Sequence, residues 1–280
     1  MRNTLAIAWR EVRTYFTSPL AYVVIGVFLA LSGYIFWASL VRFSELCLQL
    51  SGNPMYRQQL NVNDMVIRPL FGTIGIIFLL MIPVITMRLL AEERKNGTSE
   101  LLFTCPVTSG EVVLGKYLGA AVLLLVMIAV TVCYPLLISF AGANPDLKPA
   151  LVGSLGVLLM GLSFLGVGLL ISSLTENQIV AAVGAFGALL FLWIMNWIAD
   201  AAKITLAGLM NTLSLGLWQK AGLGTGGPSL GDLLNRMSII EHMQDFRKGI
   251  VDSEHVVFYL TFIFLTLFLT QRVIESRRWR

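Results

Sequence analysis

The feature that most constrains this chain is a series of apolar runs almost free of ionisable residues. They cover Leu20 to Val41, Met65 to Leu90, Val112 to Phe140, Ala150 to Leu174, Ile179 to Ala199 and Val256 to Thr270. A helix needs about 20 such residues to cross roughly 30 Å of bilayer hydrocarbon. Five runs reach that length, and Tyr259 with a snorkelling Arg272 extends the reach of the sixth. With 56% hydrophobic and 13% charged residues over 280 positions and a mean hydropathy of +0.79, the chain has too much apolar surface for one soluble core. The expected fold is all-α integral membrane, a single domain over 1–280 with six transmembrane helices.

The segments between the runs carry local instructions. Residues 1–17 set Arg2, Arg10 and Arg13 beside Trp9, Tyr15 and Phe16, which suits an interfacial helix at the headgroups. Ser18 and Pro19 form an N-cap with proline in the first turn. The first run is too long for a signal-peptide core and is expected to remain as an anchor. Arg42 to Asn63 is polar, with a turn at Gly52, Asn53 and Pro54. Pro83 and Pro135 kink the second and third spans, and Ala141 to Pro149 is a short turn. Gly153, Gly156, Gly161, Gly166 and Gly168 line the fourth span, where small residues either admit neighbouring backbones or are merely tolerated. Thr175 to Gln178 spells a capping box for the fifth. The region 200–253 reads as short external re-entrant or amphipathic helices, with a break at Gly222 to Ser229 and an apolar stripe from Leu230 to Phe246. Asp252 caps the last span.

Eleven of the 20 basic residues fall on the N-terminal segment, the stretch 88–116 and the C-terminal tail; nine fall in the longer remaining loops. That density puts both termini and 91–116 on the cytoplasmic side. Basic residues flanking apolar spans explain the net charge of +4 without nucleic acid. Cys47, Cys105 and Cys133 lie at different sides or depths, so no disulfide or metal pairing is expected. Gly110 to Tyr117, GEVVLGKY, comes one residue from a phosphate-binding loop, but Tyr117 cannot replace the small hydroxyl that ligates magnesium and no strand precedes it. The chain therefore has no nucleotide site of its own. His242 and His255 read as solvated surface residues, and neither a nucleophile with its base nor a metal set is visible. The span interiors lack the buried charges that proton- or ion-coupled transporters use.

The informative stretch is Ala91 to Lys116, AEERKNGTSELLFTCPVTSGEVVLGK, a polar island between two spans. Gly97 can end the incoming helix, Thr98 can cap a short helix over Ser99 to Thr104, and Pro106 disfavours helix at Cys105. Thr108 to Glu111 forms a capping box for the next span. A simple tether would not need helix, break and helix.

Glu92, Glu93, Arg94, Gly97, Thr98, Glu100, Leu101, Leu102, Pro106, Glu111, Gly115 and Lys116 resemble the segment between the second and third spans of ABC-2-type permeases, the membrane subunits of ATP-driven exporters. SSLTENQ at 172–178, with Glu176, resembles the family's second inside turn, and DFRKGIVD at 245–252 its element before the last span. The likeness is strongest to the gliding-motility-type subgroup. It implies an island that seats a coupling helix in a groove of a cytoplasmic ABC ATPase, with Leu101, Leu102 and Phe103 filling the groove. Glu92, Glu93, Arg94 and Glu100 would fix register, and Gly97 and Thr98 the helix angle. It further implies two ATPase copies carrying ATP and magnesium, a second or homologous permease, and the bacterial cytoplasmic (inner) membrane. The alternatives are a non-transporting scaffold of an envelope or motility complex, and a lipid-acting enzyme with its site in 200–253.

Overall fold

A computed structural model describes residues 2–50, 61–95, 107–140, 145–213 and 238–278. These form α1 (Arg2–Thr17), α2 (Pro19–Gln49), a π-turn (Asn63–Ile67) leading into α3 (Arg68–Thr86), and α4 (Ala91–Lys95). There follow α5 (Ser109–Phe140), α6 (Leu147–Leu174), α7 (Gln178–Leu213), α8 (Ile239–Arg247) and α9 (Ser253–Arg278). No strand occurs among the described residues. Six helical stretches are long and apolar enough to cross a bilayer, as expected, and the chain is an all-α multi-pass membrane protein. The turn at 52–54, the Gly97 cap, the helix over 99–104, the start of the 141–149 turn, the 222–229 break and the stripe before Ser238 lie outside the described residues.

Three signals act as expected, one being Asp252, whose carboxylate accepts from the Glu254 N–H at 3.3 Å at the start of α9. The Ser18 hydroxyl accepts from the Leu20 N–H at 3.3 Å, with Pro19 in the first turn. Thr108 and Glu111 close a reciprocal capping box, the Glu111 N–H donating to the Thr108 hydroxyl at 3.3 Å and the Thr108 N–H to the Glu111 carboxylate at 3.1 Å.

Other boundaries differ. The first spanning helix continues past Val41 to Gln49, and the fifth past Ala199 to Leu213, because neither stretch contains proline and solvated polar residues do not end a helix. The cap of α7 is Asn177, whose carboxamide oxygen accepts from the Ile179 N–H at 2.9 Å, while Thr175 accepts from the Asn177 N–H at 3.2 Å. Asn177 directly precedes the helix and its carboxamide reaches the second helical N–H, which displaces the expected box. The second span breaks at Met87 to Leu90, short of α4.

α6 is the hub, packing against α3, α5, α7, α8 and α9. Of the residues in its most apolar stretch 67% are buried, against 22%, 17% and 22% for the spans of α2, α7 and α9, which therefore lie at the outside of the bundle. The glycines of α6 are contact points. A Cβ would meet Phe71 of α3 at Gly153, Phe246 of α8 at Gly156, Leu124 of α5 at Gly161, and Thr266 of α9 at Gly166. In lipid, where burying apolar surface gives little drive, such close approach is how helices gain packing.

Candidate functional site

The polar island emerges from a junction of α1, α3, α4 and α5. α1 lies on α5 because that helix has no side chain at Gly115 and Gly119: a Cβ there would overlap Ile7 and Glu11. Between these glycines in sequence, Lys116 is 1% exposed. Burying an ammonium is costly unless it is paired. Lys116 Nζ meets Glu11 of α1 at 2.8 Å and Glu93 of α4 at 2.9 Å, and Arg10 reaches the same Glu93 oxygen at 2.8 Å. Three helices are thus tied by one buried cation.

The break ahead of α4 is held by two more side chains. In an unbroken helix the Leu89 N–H would bond the Ile85 carbonyl; here it bonds Thr86 at 3.1 Å. The Tyr15 hydroxyl of α1 donates to the orphaned Ile85 carbonyl at 3.0 Å. Burial pushes the Tyr15 phenol far above its ordinary pKa, so it remains a donor. On the other side the buried Ser172 hydroxyl accepts from the N–H groups of Leu90 and Ala91, both at 3.2 Å. Ser172 begins the SSLTENQ stretch, so the two segments singled out in the sequence meet. α4 packs on α6 and α7, whose connecting turn carries the exposed Glu176.

A cleft of about 540 Å³ opens between α1 and the α3–α4 break, lined by Arg10, Tyr15, Arg88, Glu92, Glu93 and Lys116. Of the expected island residues, Glu92 lines this cleft, Glu93 turns inward to Lys116, and Arg94 is partly buried with its N–H on the Leu90 carbonyl at 3.2 Å. Gly97, Thr98, Glu100, Leu101, Leu102 and Phe103 lie outside the described residues. Sequence reasoning missed the Glu11–Lys116–Glu93 triad. The Gly115-x-x-x-Gly119 spacing was the available signal, since it marks a face open to another helix.

At the opposite end, α8 buries Ile239, Met243 and Phe246 in the bundle. The expectation of solvated histidines fails there. His242 is 5% exposed, its ring stacked on Phe258 with centroids 3.9 Å apart. Its Nδ1 lies 2.6 Å from Nδ1 of His255, whose Nε2 lies 3.0 Å from Asp245. One Nδ1 must donate and the other accept, so one proton lies between the two Nδ1 atoms. Thirteen residues and a turn separate the histidines, and only the folding of α8 onto α9 joins them. Among the described residues no group of three or more His, Cys, Asp or Glu side chains is arranged to hold a metal.

Gly110 to Tyr117 is helical throughout, so its N–H groups serve α5 instead of cradling phosphate. No nucleotide-binding fold occurs among the described residues. No curated protein matches the chain significantly. A family model described as ABC-2 family transporter protein matches residues 5–270, nearly the whole length. The chain belongs to the ABC-2 family, as the membrane component of an ABC transporter.

Proposed function

We propose that the chain is the permease subunit of an ATP-driven exporter, moved by a separate cytoplasmic ATPase that binds ATP and magnesium. The observation that carries this is the junction at Lys116: the helix leading into the island is tied to α1 and α5 by a buried ion triad and to α6 by Ser172. A force applied to the island would reach the spanning helices with little slack. In this reading the ATPase grips Gly97 to Phe103, with Glu92, Arg94 and Glu176 at the margin of the contact. Glu93 acts one layer in, as the link between grip and bundle. The working assembly has two ATPase copies and a second or homologous permease. It sits in the bacterial inner membrane with both termini cytoplasmic, as a member of the gliding-motility-type subgroup.

The test is co-purification with a soluble ATPase whose hydrolysis rate responds to the permease. Leu101→Asp or Gly97→Pro should abolish association while membrane insertion persists; unaltered association would overturn the reading. In a Cys47→Ser, Cys133→Ser background, Cys105 should react with a membrane-impermeant reagent only from the cytoplasmic face. Association with an ATPase and no export of any substrate would instead support a non-transporting scaffold.

A further inference from the structure

Among the described residues, the end of the bundle remote from the island contains a cation without a counterion. Arg247, in the last turn of α8, lays its guanidinium over Gly72 of α3, where a Cβ would come within 3.3 Å of its Cζ and Nη2. Arg68 stands one turn earlier on the same face of α3. The half-buried Arg247 is held below its ordinary pKa by burial first and by the charge of Arg68 second. Arg68 has a carboxylate, Asp64 at 3.0 Å, which is itself well exposed. Lys248, beside Arg247, is engaged by Asp245 at 2.8 Å. Among the described residues Arg247 makes no ion pair, and the Nε donors of both arginines are shielded and unpaired.

Two guanidiniums sharing one solvated carboxylate are poorly compensated, and a half-buried charge is tolerable only when paired. We propose that Arg247, lying over Gly72, and Arg68, near enough for its charge to act on Arg247, form a binding site for a phosphate group. A carboxylate has only two oxygens, and one guanidinium fork engages both together. The oxygens of a phosphate can bridge two forks, and arginine suits phosphate because its donors lie in one plane at fixed spacing. Gly72 leaves the space in which Arg247 lies flat. The phosphate can come from a lipid headgroup or from a soluble phosphate, and the site does not depend on the exporter reading.

The test uses the full chain in a phosphate-free, non-ionic detergent, titrated with inorganic phosphate and, separately, with short-chain phosphatidylglycerol, reading the thermal midpoint and an apparent Kd. Wild type should bind at least one probe. Arg247→Gln should weaken that binding about tenfold or more, as expected for a lost charge-assisted contact, with Arg247→Lys recovering part of it. Lys148→Gln, an exposed change at the same end, should leave it intact. A response to the lipid alone assigns the headgroup, and a response to both assigns the phosphate group itself. The proposal is overturned if neither probe shifts wild type, or if folded Arg247→Gln binds as wild type does. Should Arg247→Gln fail to fold, Arg68→Gln and Gly72→Leu carry the same test, and wild-type affinity in both overturns it.

Discussion

At the island end a cation that is 1% exposed stands between two carboxylates, whereas at the opposite end a half-buried cation stands beside another cation. Lys116 is enclosed because two glycines let α1 lie against α5 and bring Glu11 with it. Arg247 is only partly enclosed because a single glycine, Gly72, receives it and Arg68 already has Asp64. The first arrangement is closed and resists change, since removing any member strands the others out of water. The second is open, with donors unspent. The contrast teaches where rigidity and binding capacity reside: the bundle is locked where the island leaves it and unsaturated at its other end.

The largest expected effect breaks the closed side. Lys116→Ala should destabilise the protein by about 3–5 kcal/mol, because it removes the buried cation and leaves Glu11 and Glu93 only the largely exposed Arg10. Denaturant unfolding in detergent measures it. The triple change Lys116→Met, Glu11→Gln, Glu93→Gln should restore most of that loss, because replacing a whole buried ion cluster is often neutral. If it does not, packing of α1 matters more than charge.

Next, Gly119→Leu and Gly156→Leu compare the two ends by sterics alone. Each should cost about 1–3 kcal/mol by overpacking, the first by pushing α1 off α5 and the second by pushing α8 off α6. Only Gly119→Leu should also make α1 accessible to protease. Tyr15→Phe should cost about 1 kcal/mol by leaving the Ile85 carbonyl unpaired, read from the unfolding midpoint.

The smallest effect is a pH dependence read at the open end. The hydrogen bond from Lys248, and then that from His255, hold the Asp245 carboxyl below the usual carboxylate range. Its contribution is present above the unfolded-state pKa of about 4 and is lost as pH falls through the lower folded-state value. Hydrogen exchange of 239–247 should therefore accelerate only in acid below about pH 4, and Asp245→Asn should remove that dependence.

Much of the fold was legible in the chain. The six crossings follow from length and apolar content, which every residue carries with it. The caps at Ser18 and Thr108 follow from side chains that bond their own neighbours' N–H groups. Errors arose where two local signals competed, as at Thr175 and Asn177, or where helix continued into polar sequence after Val41 and Ala199. The island was legible as a polar segment between two spans, but the orientation of Glu93 was not. From the sequence its carboxylate belongs to a charged run facing water; in the structure it faces Lys116.

The sequence by itself determined that this is a six-span membrane helix bundle of the ABC-2 type, because crossing hydrocarbon is a requirement each segment meets alone. Tertiary structure decided which charges meet. Glu11 and Lys116 are 105 residues apart, His242 and His255 share no helix, and Arg68 and Arg247 approach only because α8 folds back over Gly72. Such pairings depend on the rotation of one helix against another. That rotation is set by which glycine faces which neighbour, and no single stretch of chain encodes it.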